Sequence, residues 1–153
     1  MLRKWQKFQE LSWAEKFLLA QALLLLPINV LGLRILGFRR WQSVLQRMIT
    51  NQQTSIIEVT TAQDIARVVN SASAQFFRNV CLPRSTTLWW MLGRRGIASE
   101  LRIGVRKEDN IFKAHAWLEC QGIVLNDSAE VGTNFTPFAE RFDLINEWNR
   151  GNI

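Results

Sequence analysis

Three residue types that together support covalent catalysis follow one another in the second half of this 153-residue chain. Cys81 precedes an apolar stretch of helical composition, His115 is the only histidine, and Asp127 comes just past a Gln121-Gly122 turn. A thiol can attack a carbonyl carbon, an imidazole can move its proton, and a carboxylate can orient the imidazole. Cys81, His115 and Asp127 therefore form a candidate catalytic set for peptide cleavage or acyl transfer.

Cys81 lies where a helix is expected to begin. Pro83 suits the first turn of a helix and Gly96 suits the left-handed position after its end, which predicts a helix over Pro83–Arg95. The aligned backbone amides of a helix N-terminus stabilise a thiolate, and Arg84 adds positive charge one turn later. This position favours Cys81 as the nucleophile.

Cys120 has the opposite interpretation. It shares a predicted strand with His115, and strict alternation puts the two side chains on opposite faces of that strand. A cysteine in such a position is usually a small buried apolar residue. One histidine and two separated cysteines also make a poor ligand set, so neither a metal nor another cofactor is expected.

Attack on a carbonyl also requires a hydrogen-bond donor for the oxyanion that develops. The backbone amide of Cys81 at the helix start is one candidate. The side-chain amides of Gln75 and Asn79, a few residues upstream, are the others. Gln75 is explained equally well as a solvated helix residue.

The strand register raises a difficulty for the pair of His115 and Asp127. A two-residue Gln121-Gly122 turn leads, in regular register, to a direct pairing of Ala116 with Asp127. Directly paired residues share a face, so Asp127 would point away from His115. A bulge or a longer connection brings the two together. The sequence therefore predicts an irregularity between Gln121 and Asp127.

The pattern of elements predicts an α+β fold, because helical periodicity comes first and strand alternation follows. The predicted helices are Trp13–Leu26, Ile28–Phe38, Arg40–Ile49, one that starts near Thr61, and Pro83–Arg95, with a weakly helical tail over Thr136–Trp148. The predicted strands are Leu101–Arg106, Phe112–Cys120 and Ile123–Asp127, in an antiparallel sheet. The polar stretch Thr50–Ser55 separates a helical N-terminal region, residues 1–50, from a core, residues 56–153, that carries the chemistry.

The charge balance favours an acidic partner. Lysine and arginine number 19 and aspartate and glutamate 13, which gives a formal net charge of +6. The basic residues are scattered and lack a nucleic-acid-binding motif, so an acidic peptide or protein is the expected partner rather than nucleic acid. Two cysteines without a dense spacing indicate free thiols in a reducing compartment.

The N-terminal region requires a membrane test, because Phe17–Leu33 carries no charge and lies near the lower limit of length for a bilayer span. Pro27 interrupts this stretch and Arg34 follows it directly. Two buried helices with a break at Pro27 are the favoured interpretation. Peripheral contact with a membrane surface stays open, because arginines flank the apolar faces: Arg34, Arg39 and Arg40.

A cysteine at a helix start, followed by a histidine and an aspartate on successive antiparallel strands, resembles the transglutaminase-like, papain-like cysteine fold. The local sequence is more specific and is similar to the leader peptidases of lasso peptide biosynthesis over about Leu11–Phe138. The similar segments are Cys81–Ser85, Leu92–Ile97, Leu101–Val105 and His115–Glu119, with weaker similarity in Ala22–Leu26 and Leu36–Arg40. Cys120 departs from this pattern, in which an aliphatic or polar residue is expected, but the departure affects no catalytic group.

This resemblance implies a cysteine protease of the bacterial cytoplasm that removes the leader from a ribosomally made precursor peptide. It also implies two separate partners, a small leader-recognition protein and an ATP-dependent cyclase that closes the core peptide into a macrolactam. Two alternatives stay open: an acyl transferase that passes the acyl group to an amine, and a non-catalytic peptide-binding module with an aromatic cleft. The tryptophans that could make substrate contacts are Trp89, Trp90 and Trp117.

Overall fold

A computed structural model describes residues 12–49, 56–76, 80–109 and 111–137, with the backbone alone at 56–58, 75 and 76. Its elements in chain order are the helices α1 (Trp13–Gln46), α2 (Ile56–Phe76) and α3 (Cys81–Gly93), the strands β1 (Glu100–Glu108), β2 (Ile111–Cys120) and β3 (Ile123–Val124), the short helix α4 (Val131–Asn134), and the strand β4 (Thr136–Pro137). Helices therefore precede an antiparallel sheet, and the predicted α+β class is confirmed.

The first helix begins where its capping residues predict. The backbone N–H of Glu15 donates to Ser12 Oγ at 3.2 Å, and the backbone N–H of Ser12 donates to Glu15 Oε2 at 2.8 Å. This reciprocal pair satisfies two amides that the helix itself leaves without partners. The hydrogen bond from the Ser12 backbone also lowers the pKa of Glu15 from its usual value.

The predicted break at Pro27 is wrong, because α1 continues through Pro27 to Gln46. Proline in a helix interior costs one backbone hydrogen bond, but here the turns on both sides of it are held in the core through Leu26 and Asn29. The interruption lies at Gly37, close to the predicted boundary between Phe38 and Arg40, where the backbone has φ 74° and ψ 166°. Glycine adopts such a positive φ without steric strain, so the chain changes direction there.

A buried hydrogen-bond network joins α3 to the parts of α1 before and after Gly37. The indole Nε1 of Trp41 donates to Asn29 Oδ1 at 2.8 Å, and Asn29 Nδ2 donates to Thr87 Oγ1 at 2.9 Å. The Trp41 ring lies against Gly32, where an added Cβ would come within 2.4 Å of the ring. The network therefore fixes α1 as part of the packed structure.

One hydrophobic core connects all three long helices with the sheet. Its buried members include Ala22 and Leu26 of α1, Val69 of α2, Leu88 of α3 and Leu118 of β2. The helix predicted to start near Thr61 starts earlier, at Ile56. Residues 50–55 lie outside the described ranges, so the predicted division between residues 1–50 and 56–153 stays a prediction.

The sheet has the strand order β3-β2-β1-β4. On β2 the side chains of Ala116, Leu118 and Cys120 are buried, which confirms the interpretation of Cys120 as a packing residue. The helix predicted from Thr136 is wrong at its start, because Thr136 and Pro137 pair with β1 as β4. The rest of that predicted helix lies outside the described residues.

The interpretation of the N-terminal helices as buried holds for one side of α1 only, the side of Ala22, Leu26 and Asn29. Among the described residues, α1 is the one helix that is long and apolar enough, by length and composition, to cross a membrane, and only 22% of its apolar window is buried. Large apolar side chains on its outer side face solvent, as Trp13 and Ile35 do with 87% and 70% of their surface exposed.

Candidate active site

His115 and Asp127 are in direct contact. The ring Nε2 of His115 lies 2.6 Å from Asp127 Oδ2, and each side chain keeps about a quarter of its surface exposed (23% and 24%). An ionised carboxylate only accepts, so Nε2 carries the hydrogen that it donates to Asp127. The other ring nitrogen, Nδ1, is then the one that can exchange a proton with a third group.

The predicted irregularity before Asp127 lies after Val124. Gln121 and Gly122 form a tight two-residue turn with φ 51° and 76°, and Cys120 pairs with Ile123 in regular register. The ladder of β3 ends at Val124, and the chain then bends over residues 125–127. Asp127 thereby leaves the face that a continued strand would impose on it, and it reaches His115.

Asn126 fixes the bend. In a regular antiparallel ladder, every second pair of opposed residues exchanges two backbone hydrogen bonds. Leu125 N–H does donate to Leu118 O at 2.9 Å, but Leu118 N–H donates to the side chain of Asn126, at 2.8 Å from its Oδ1. The amide of Asn126 therefore takes the place of a backbone partner, and Asp127 is the next residue along the chain.

The same Asn126 side chain also contacts α3. Its Nδ2 donates to Ser85 Oγ at 2.8 Å, and Ser85 Oγ donates to the backbone oxygen of Ala116 at 3.0 Å. Ala116 is the neighbour of His115 in β2. A single buried hydroxyl thus joins the helix of Cys81, the strand of His115 and the bend of Asp127. The sequence did not predict a role for Ser85 or Asn126. The only signal was their position: Ser85 lies one helical turn after Cys81, and Asn126 directly precedes Asp127.

Cys81 is the first residue of α3, and its thiol is free and half-buried. The helix begins two residues before the predicted start at Pro83, and Val80 provides no side-chain cap for the first amides. Arg84 and Ser85 lie one turn further along the helix. Because Arg84 contacts Asp127 and Ser85 contacts β2 beside His115, the N-terminal turn that carries Cys81 lies at the histidine–aspartate pair.

From its position one turn after Cys81, Arg84 was expected to act on the thiol, but its side chain contacts Asp127. Its Nη2 lies 3.5 Å from Asp127 Oδ2, the same oxygen that His115 contacts. Both side chains of this ion pair are largely buried, which limits screening by solvent. The guanidinium of Arg84 therefore forms its ion pair with the Asp127 carboxylate.

Two aromatic rings border His115. The ring centroid of Phe135 lies 5.0 Å away and that of Trp117 6.4 Å away. Gly104, opposite His115 in β1, leaves the space for them, since an added Cβ there would come within 2.9 Å of the Trp117 ring. Phe135 precedes the two-residue strand β4, and no sequence pattern pointed to it.

The predicted role of tryptophans in substrate contact needs correction. Trp89 is 6% exposed and Trp117 is fully buried, so neither presents a surface to a peptide. Trp90 is half-buried, with the guanidinium of Arg94 at 5.9 Å from its ring centroid. Trp89 and Trp117 pack in the interior instead, because a large aromatic side chain stabilises the fold most when its apolar surface is buried.

The predicted oxyanion donors are only partly placed. The Cys81 amide lies at the start of α3, as expected, whereas the Gln75 side chain and Asn79 lie outside the described residues. Within the described ranges no group of three or more His, Cys, Asp and Glu side chains could hold a metal ion.

A family model of the transglutaminase-like superfamily matches residues 22–140, a range that includes the three candidate catalytic residues. The chain therefore belongs to the transglutaminase-like superfamily, whose members are mostly cysteine-dependent hydrolases and transferases. No curated protein and no solved structure matches the chain.

Proposed function

We propose that this protein is a cysteine endopeptidase that removes the leader from a ribosomally made lasso peptide precursor. The observation that carries the proposal is the 2.6 Å contact of His115 Nε2 with Asp127 Oδ2, beside the helix that starts at Cys81. Family membership supports the cysteine chemistry. The similarity of Cys81–Ser85 and His115–Glu119 to lasso leader peptidases supports the choice of substrate.

The first half of the reaction forms a thioester. His115 Nδ1 takes the thiol proton of Cys81, and the sulfur attacks the carbonyl carbon of the bond between leader and core. The backbone amide of Cys81 donates to the oxyanion of the tetrahedral intermediate. The C–N bond then breaks, His115 returns the proton to the departing amine, and the leader stays bound to Cys81 through its acyl carbon.

The second half releases the leader. His115 takes a proton from water, the hydroxide oxygen attacks the thioester carbon, and the C–S bond breaks to restore the Cys81 sulfur with its proton. Asp127 stabilises the imidazolium that forms in each half and holds the ring in one orientation. The core peptide, with its new amine, is the substrate of a separate ATP-dependent cyclase.

The proposed enzyme works in the bacterial cytoplasm with a separate leader-recognition protein. The net charge of +6 favours encounter with an acidic leader or an acidic partner. Such a partner should accelerate cleavage, and raised salt should weaken that acceleration if charge steers the encounter.

Mass spectrometry of a lasso precursor peptide, incubated with the enzyme and its recognition protein, tests the proposal. Cleavage at one bond with wild type and Cys120→Ala, but not with Cys81→Ala, is the expected result. A mass that corresponds to a new amide with an added amine would instead identify an acyl transferase. Binding without any covalent change would identify a peptide-binding module, and equal cleavage by Cys81→Ala would exclude the nucleophile.

A further inference from the structure

The outer side of α1 carries a continuous row of exposed apolar residues. They recur at intervals of three, four or seven residues, so they fall on one side of the helix. We call this row the outer stripe: Trp13, Phe17, Leu24, Ile28, Leu31 and Ile35, each exposed by 43% or more of its surface. The opposite side of the helix holds the buried Ala22, Leu26 and Asn29, so α1 is apolar on both sides.

Apart from Glu15 in its capped first turn, the charged residues of α1 are all positive. Between Lys16 and Arg47 the sequence contains five basic residues, Lys16, Arg34, Arg39, Arg40 and Arg47, and neither aspartate nor glutamate. Lys16 and Arg34 lie 34 − 16 = 18 residues apart, which is about five helical turns, so both flank the same edge of the outer stripe. An apolar row bordered by cations fits a surface that is apolar inside and negatively charged outside.

We propose that the outer stripe docks in the plane of an anionic lipid bilayer. Apolar side chains would enter the boundary between headgroups and acyl chains, and the cations would contact lipid phosphates. Trp13 at one end of the stripe is the type of residue that prefers this boundary. The inference uses no catalytic residue and is independent of the proposed function.

A membrane-spanning arrangement of α1 does not fit the structure. The inner side of the helix shares the core with α2 and α3, and the buried Asn29 amide bonds Thr87 at 2.9 Å. Insertion across a bilayer would separate these groups and leave an unpaired amide in hydrocarbon. An in-plane position keeps the core intact and covers the outer stripe alone.

A second copy of the chain fits the stripe less well. If two helices packed antiparallel along their stripes, Lys16 of one copy would lie beside Arg34 of the other. The one acidic side chain of α1, Glu15, accepts from the Ser12 backbone as part of the helix cap, and the stretch from Lys16 to Arg47 has no other to offset this repulsion. Lipid headgroups supply the missing negative charge, which is why we choose a lipid surface as the occupant.

Vesicle co-sedimentation tests the proposal with the full chain. Vesicles of phosphatidylglycerol and phosphatidylcholine should bind the protein at least tenfold more tightly than vesicles of phosphatidylcholine alone. The variant Leu24→Gln/Leu31→Gln/Ile35→Gln should lose binding at least tenfold. The matched control Ile111→Gln/Phe112→Gln/Ile123→Gln, which replaces three exposed apolar residues elsewhere, should bind as wild type does.

A charge variant covers the case in which the triple variant does not fold. Lys16→Gln/Arg34→Gln should weaken binding to anionic vesicles on the order of tenfold. Arg67→Gln/Lys107→Gln, with the same loss of charge away from the stripe, should weaken it less. Far-UV circular dichroism checks the fold of each variant.

Two results would overturn the proposal. The first is equal vesicle binding by the stripe variants and their controls. The second is an absence of vesicle binding by wild type. In that case, a change in molecular mass between wild type and the stripe variant in light scattering would identify a second copy as the occupant. A change in affinity for the leader-recognition protein would identify a protein partner.

Discussion

Asn126 Nδ2 donates a 2.8 Å hydrogen bond to Ser85 Oγ, which ties the residue before Asp127 to the helix that begins at Cys81. The same asparagine accepts from Leu118 N–H of β2. Three separate pieces of backbone that carry the candidate catalytic groups are therefore held by one side chain. The relative positions of thiol, imidazole and carboxylate depend on a residue that has no chemical role in the proposed reaction.

Asn126→Ala should reduce both stability and rate. The change leaves Leu118 N–H without its acceptor and Ser85 without its donor, and a buried unpaired group costs about 1–3 kcal/mol. Thermal or denaturant unfolding measures the first effect. Measurement of kcat well below the unfolding temperature gives the second, which should fall more than tenfold because the bend that presents Asp127 to His115 loses its anchor to β2 and α3. Asn134→Ala, at an exposed position of α4, should change neither.

Asp127→Asn should lower kcat by orders of magnitude, but less completely than His115→Ala. The amide cannot supply the negative charge that stabilises the imidazolium, whereas the remaining imidazole still offers a base. Glu119→Gln is the matched control. Glu119 lies on the same strand as His115 and accepts from Trp117 Nε1, and it has no role in the proposed reaction. A silent Asp127→Asn together with an essential Glu119 would overturn the assignment of the orienting carboxylate.

If Arg84 acts by positioning Asp127, which its Nη2 contacts at 3.5 Å, Arg84→Gln should lower kcat about tenfold with little change in KM. Arg84→Lys should restore part of the rate, since an ammonium keeps the charge but not the planar geometry of the guanidinium. Arg102→Gln removes an exposed partner of Glu100 and Glu119 and serves as the control. A rise in KM alone would mean that Arg84 binds substrate instead.

The parts of the site that local sequence encodes were predictable. Alternation along β2 separated His115 from Cys120, and the conflict of register foretold the bend before Asp127. The residues that hold the bend were not predictable, because Ser85 and Asn126 meet only in the folded chain, 41 residues apart. Phe135 and β4 were not predicted either, because a two-residue strand is too short to show a periodicity.

The errors in the N-terminal region have two physical origins. Periodicity identifies a buried side by contrast with a polar one, and α1 is apolar on both sides, so the pattern could not tell which side would be exposed. The rule that proline ends a helix failed at Pro27 because burial of Leu26 and Asn29 on either side outweighed the lost hydrogen bond. Gly37, whose φ is 74°, marks the actual change of direction.

The two cysteines should differ sharply in reactivity toward iodoacetamide. The Cys81 thiol is half-buried at a helix N-terminus, whereas Cys120 is fully buried and its Sγ lies 3.3 Å from Ala98 O. A reagent in solution reaches the half-buried Cys81 thiol directly, whereas it reaches Cys120 only when the core opens. Native protein should therefore be alkylated at Cys81 at least tenfold faster than at Cys120, and the difference should vanish in denaturant.

His115→Ala extends this measurement to the proposed proton transfer. Removal of the imidazole should slow alkylation of Cys81 in the native protein, because no base then takes the thiol proton. Cys120 serves as the internal control, since its labelling depends on opening of the core and should follow stability alone. Faster labelling of Cys120 than of Cys81, or labelling of Cys81 that is indifferent to His115, would mean that the two residues do not work together in the native structure.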